Sequence, residues 1–320
     1  MRERPSWNAP CFTSGVELRA TMSTPRRVLV AIDFSDPSER ALAEGNAIAL
    51  AAGAKLLVCH SVANALRVNA LFPERNWLEA LAVPQLMEAA GDLAERRITE
   101  LTKRERSDVK LFVDHGAADS AILRHAEEQD VDLIVVGSHA HTGPRHVLLG
   151  SVAERVVRYA HCSVLVARRG PESGQVLAAT DFSDRAAHAI AAAVRETKRR
   201  GGSLTVLHSL GLALPIGVTA AVPLGASVQL PPPDAIEAAR ALALQMLADN
   251  LSQFGIEGHR LVPAGVPEDD IVQAAARLAA ELVVVGSRGW TGLARVALGS
   301  VAETVVHRAS CSVLVVRPTR

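Results

Sequence analysis

The chain has 320 residues, with 34 Lys plus Arg set against 34 Asp plus Glu, and only 3% aromatic residues. Zero formal charge and so few rings exclude the basic, ring-stacking surface by which proteins usually hold nucleic acid. The four cysteines show no CxxC spacing and read as reduced thiols.

Residues 1–20 carry no continuous apolar core, so no secretory signal is read there. Residues 1–23 also lack periodicity and are expected to be a disordered extension or the product of a mis-set start. Met22-Ser23-Thr24-Pro25 would be a natural lead into the first strand. From there strand-like and helix-like runs alternate, which predicts an α/β domain with a parallel sheet. Strands are predicted over 27–32, 55–60, 110–114, 133–136 and 163–167, and helices over 37–52, 84–106, 120–129 and 152–159. The polar stretch 170–175 reads as a short linker. Strands follow again over 176–179, 203–208, 258–262, 282–285 and 312–316, with the same helical pattern between them. Two domains, 24–169 and 176–320, are therefore expected. Residues 209–233 hold no charge, but Gly211, Pro215, Gly217, Pro223 and Gly225 interrupt them. Such breakers leave backbone groups unsatisfied in lipid. The stretch is expected to be an apolar loop over a ligand or a subunit contact, and no membrane partner is expected.

The two halves repeat one another. Asp33-Phe34-Ser35-Asp36 returns as Asp181-Phe182-Ser183-Asp184, His60 as His208, Gly116 as Gly265 and Cys162 as Cys311. A period of almost 150 residues is a duplicated domain, because solenoid repeats run roughly 20 to 50 residues. Each half ends on one spaced motif. The second reads Gly286-Ser287-Arg288-Gly289, nine residues, then Gly299-Ser300-Val301-Ala302-Glu303. The first reads Gly137-Ser138-His139-Ala140, nine residues, then Gly150-Ser151-Val152-Ala153-Glu154. Glycines after a buried strand let a phosphate approach the backbone, and Gly-Ser opening a helix offers free N–H groups to an anion. In open sheets ligands sit at the carboxyl ends of strands where the winding reverses. If the first and fourth strands are neighbours, Asp33 and Asp181 face the same crevices as these loops.

Each feature also has a plainer reading. Ser151 and Ser300 fit capping boxes with Glu154 and Glu303. Asp33 and Asp181 fit helix starts capped by Ser35 and Ser183. His139, His141 and His146 crowd the first loop, but no carboxylate or cysteine stands at a tight ligand spacing, so no metal is expected there. His60 and His208 end a buried strand and read as core or rim residues. No Gly-x4-Gly-Lys-(Ser/Thr) loop and no nucleophile–base set is present, so no catalytic residue is assigned.

With Gly286, Gly289, Gly299 and Ser300 matching Gly-x2-Gly-x9-Gly-(Ser/Thr), the chain resembles a tandem universal stress protein over about residues 24–320. Ala179-Thr180-Asp181-Phe182-Ser183, Val206-Leu207-His208 and Cys311-Ser312-Val313-Leu314-Val315-Val316 carry the same resemblance. It implies two Rossmann-like domains, each a five-stranded parallel sheet of order 3-2-1-4-5, pairing through their last strands. It also implies ATP, with Mg2+, held by Thr180, Asp181, Ser209, Gly286, Ser287, Arg288, Gly289, Gly299, Ser300 and Val301. In the first half the corresponding set is Asp33, Ser61, Gly137, Ser138, His139, Gly150, Ser151 and Val152. The first half departs from the motif, with Ala140 for the second glycine and Ile32 for Thr180, so the second site is expected to be the stronger. The implied role is a cytoplasmic, homodimeric stress or regulatory module. A slow ATPase or other adenine-nucleotide enzyme, and a nucleotide-free interaction scaffold, remain as alternatives.

Overall fold

The structure, a computed structural model, describes residues 24–62, 76–138, 149–212, 231–287 and 298–318. The first half runs β1 (Arg27–Ile32), α1 (Asp36–Ala52), β2 (Lys55–Val62), α2 (Asn76–Thr102), β3 (Val109–His115), α3 (Ala118–Glu128), β4 (Leu133–Gly137), α4 (Ser151–Tyr159) and β5 (Ser163–Ala167). The second runs β6 (Val176–Ala179), α5 (Asp184–Arg200), β7 (Leu204–Leu207), α6 (Pro233–Gln253), β8 (His259–Leu261), α7 (Pro267–Arg277), β9 (Leu282–Gly286), α8 (Ser300–Arg308) and β10 (Ser312–Val316).

The inner strands lack an apolar–polar alternation because both faces of the sheet are covered there. Val28, Val30 and Ile32 of β1 join one core with α1, α2, α5 and α6. Leu29, between them, joins the opposite core with α3, α4, α7 and α8. Strand order is β3-β2-β1-β4-β5-β10-β9-β6-β7-β8, so each half has the expected 3-2-1-4-5 winding and the halves fuse into one ten-stranded sheet. All neighbours within a half are parallel. Among the described residues the one antiparallel pairing is the seam, which sets Val164, Leu165 and Val166 against Val315, Leu314 and Val313.

The seam is built twice by the same means. The guanidinium of Arg168 donates to the Val306 carbonyl at the end of α8 at 2.5 Å, and its counterpart Arg317 donates to Val157 at the end of α4 at 2.7 Å. Cations there meet carbonyls that the last helical turn leaves without intrahelical partners. Ser312 Oγ accepts from the Arg168 amide, and Ser163 Oγ from the Arg317 amide, both at 3.1 Å. At the linker, a Cβ on Gly202 would lie 1.9 Å from the Gly174 carbonyl oxygen, so only glycine allows the two backbones this approach.

Both ends of the second helix differ from the sequence reading by more than two residues. The second helix begins at Asn76 rather than 84 and runs through Pro84. Proline favours the first turn of a helix and drew the predicted start to itself, yet the helix carries it inside. That helix also stops at Thr102 instead of 106, where Lys103 turns to φ 56°. Residues 1–23 and most of the apolar stretch, 213–230, lie outside the described residues. Among the described residues no helix is long and apolar enough to cross a membrane.

Candidate functional site

The reversal of winding lies between β1 and β4 in the first half and between β6 and β9 in the second. A crevice opens above each, at the carboxyl ends of the strands. In the second half Thr180, Asp181, Ser209, Gly286, Gly299, Ser300 and Val301 all line one cavity of about 230 Å3. In the first, Asp33, Ser61, Gly137, Ser138, Gly150, Ser151 and Val152 line one of about 210 Å3. Ser287 stands apart from the lining. It is buried, its amide donates to Val316 at 2.9 Å and its carbonyl accepts from Gly299 at 2.8 Å, so it closes the base of the loop. His139, Arg288 and Gly289 lie outside the described residues, as do Ala140, His141 and His146.

The helix starts decide between the two readings of the serines. Gly150 and Gly299 are the N-caps, in extended backbone and without any side-chain cap. Ser151 and Ser300 are the first helical residues, so the serine-capped box is not formed. Glu154 and Glu303 donate the first intrahelical bonds, to Gly150 and Gly299, both at 2.9 Å. The amides of residues 151–153 and 300–302 precede that point and have no intrahelical acceptor. All three residues of each set line the cavity. Their N–H groups and the positive end of the helix dipole suit an anion.

Opposite stands the acidic turn. Asp181 Oδ1 accepts from the Ser183 amide at 3.0 Å and hydroxyl at 2.6 Å, and Asp33 does the same with Ser35 at 3.1 and 2.5 Å. Each aspartate thus shapes the turn into the next helix while lining the crevice, which merges the two readings. Ser183 caps α5 by accepting from Ala186, whereas Ser35 forms no side-chain cap. The intervening Phe34 and Phe182 both hold φ 62°, an unusual state for a side chain of that size. Each ring packs on a histidine, Phe34 on His60 with centroids 4.5 Å apart and Phe182 on His208 at 4.3 Å. Nδ1 of each histidine lies 2.9 Å from a strand-end carbonyl, Ile32 or Thr180, and must therefore donate. The recurring histidines lock the turn.

Some polar groups on the walls are already engaged. Ser209 Oγ donates to Asp270 at 2.6 Å and contacts the Gly265 carbonyl at 3.2 Å, and Ser61 Oγ donates to Gly116 at 3.0 Å. At Gly137 the glycine serves packing: a Cβ would lie 2.8 Å from the backbone of Pro37. Sequence reasoning missed Cys59, which lines the first crevice, because repeat-equivalent cysteines drew attention instead. Cys59, Cys162 and Cys311 are buried free thiols. Burial pushes the first two up to about 12 and the third to about 11, with the Asp114 carboxylate adding to the effect at Cys59.

Fold and crevices together define a doubly wound α/β protein with one crevice per half, where the start of the last helix faces an acidic turn. The chain belongs to the universal stress protein family, whose profile matches residues 24–168 and again 173–317. A universal stress protein of Mycobacterium tuberculosis is 31% identical over 313 residues, covering 92% of this chain and 99% of that one. One of Methanocaldococcus jannaschii is 43% identical over 75 residues, 23% of this chain and 44% of that protein. The crystal structure of a universal stress protein from Archaeoglobus fulgidus superposes with a TM-score of 0.60 at 21% identity, covering 92% of this chain and 98% of its own, a likeness of fold.

Proposed function

We propose that this protein is a cytoplasmic ATP-binding module of stress regulation, taking ATP with Mg2+ in its crevices and holding it more tightly in the second. The observation that carries this reading is the cleft of the second half. Three amides at the start of α8 and the carboxylate of Asp181 line one cavity there, between Gly286 and Gly299. Amides without intrahelical acceptors suit phosphate oxygens, and a carboxylate suits amino or hydroxyl donors of a base or sugar. In this reading Gly289 lets the loop approach the phosphates, and Ala140 hinders the same approach in the first half. Association of two chains into a homodimer belongs to the same proposal, with the apolar stretch 210–230 as its contact.

Mass spectrometry of nucleotide released from freshly purified, denatured protein tests the reading. About one ATP per chain is expected, from the second cleft. Gly289→Ala should weaken ATP by about tenfold, and Ala140→Gly should raise occupancy of the first site. No nucleotide released, and none bound on titration with ATP and Mg2+, would leave the protein an interaction scaffold.

A further inference from the structure

The first half holds a polar cluster that the crevice reading does not use. Alternation along β2 sends Leu57 and Cys59 to the sheet face covered by α3, and alternation along β3 sends Phe112 and Asp114 to the same side. Helix α3 returns over them and sets His125 on Phe112, stacked with centroids 4.0 Å apart. One ligand-capable atom from each of Cys59, Asp114 and His125 lies within 4.8 Å of the other two. Nε2 of His125 is 2.5 Å from Asp114 Oδ2. Cys59 is 2% exposed and His125 7%.

The surroundings are those of a ligand set. Arg124 holds the other oxygen of Asp114 at 2.5 Å. Nδ1 of His125 is buried without a hydrogen bond, and the Glu128 carboxylate waits 3.4 Å away. With Nε2 on an ion, the ring carries its proton on Nδ1 and donates to Glu128, the outer-carboxylate arrangement that orients metal-bound histidines. The fold itself does not require these groups. At the matching positions of the second half stand Leu207, Pro263 and Ala274, with Gln273 and Arg277 where the first half has Arg124 and Glu128.

We propose that Cys59, Asp114 and His125 form a binding site for a zinc-type divalent cation in the floor of the first crevice. A mixed sulfur, nitrogen and oxygen set selects a borderline ion such as Zn2+ or Co2+ over Mg2+ or Ca2+, which prefer oxygen alone. Thiolate and carboxylate neutralise its charge, while Arg124 and Glu128 offset each other. On binding, the ring proton that Nε2 shares with Asp114 moves to Nδ1, and the Cys59 thiol releases its proton to solvent. Because Cys59 lines the cavity, the fourth position opens to the crevice, where water or a donor atom of a bound small molecule completes the tetrahedron.

Cobalt titration of the full chain, stripped with chelator, tests the site by absorption. A near-ultraviolet sulfur-to-cobalt band saturating at about one ion per chain is expected. Cys59→Ser abolishes the band with the circular dichroism spectrum unchanged, and Cys59→Ala serves as the second thiol-free variant if serine perturbs the fold. His125→Gln and Asp114→Asn weaken binding by at least about tenfold, and Glu128→Gln by about tenfold with the band retained. Cys11→Ser, Cys162→Ser and Cys311→Ser keep it. Absence of a sulfur band in the unaltered chain overturns the proposal. So does a band that survives Cys59→Ser, or cobalt bound without sulfur and lost on replacing His139 and His141.

Discussion

The two halves share a frame and differ in the floor of the cleft. Both carry the aspartate turn, the Phe–His lock and a glycine N-cap before the last helix. Beneath that frame the first half sets Ile32, Ser38 and Cys59 where the second has Thr180, Ala186 and Leu207. The frame is backbone geometry, fixed by the winding of the sheet and by turns that few residues can make. The floor is a choice of side chains that the fold accepts in either form, and there two copies of one domain can acquire different chemistry.

The largest expected effect is at the seam, where the halves act on each other. Arg168 is buried and its guanidinium, lowered to about 10 by burial, donates to carbonyls of α8 and Cys311. Arg168→Ala removes both charge-assisted bonds and the packed stem, and should cost about 3 kcal/mol in urea unfolding. Arg317→Ala should cost less, because Arg317 is only partly buried. The seam then loosens and one cooperative transition should split into two. Equal losses in the two variants would show that the seam treats its halves alike. Next in size is Gly137→Ala, whose methyl meets the Pro37 backbone at 2.8 Å. It should lower unfolding free energy by about 2 kcal/mol, through shifts at the end of β4. A neutral result would mean that α1 moves away at little cost and that the frame is softer than its repetition suggests.

Much of this was legible in the sequence, and the reasons are specific. Repetition of Asp33-Phe34-Ser35-Asp36 and of the glycine motif marks the frame, because turns and helix starts demand particular residues at fixed places. Fully buried stretches such as 133–136 and 282–285 are visible as unbroken aliphatic runs. What escaped was everything made by distant side chains. Cys59, Asp114 and His125 lie on three elements and share no spacing, so only the pairing of β2 with β3 and the return of α3 bring them together. The reciprocal bonds of Arg168 and Arg317 were invisible for the same reason, since each reaches a helix end in the other half. Ser151 and Ser300 were legible as cleft residues but shifted by one position as caps, because glycine takes the N-cap itself.

The smallest effect separates turn from ligand at a single position. Thr180 Oγ1 accepts from the Phe182 amide at 3.0 Å, a bond that Ile32 cannot make for Phe34. Thr180→Ile should therefore cost about 1 kcal/mol in unfolding free energy, the ordinary net worth of one hydrogen bond. The first half already supports isoleucine beneath the same φ 62° turn, so the fold should survive the change. ATP titration of the same variant adds the second reading. Unchanged affinity would assign the threonine to the turn alone. A loss larger than the stability change would make the hydroxyl part of nucleotide recognition, and Ile32 would then join Ala140 as a reason for a weaker first site.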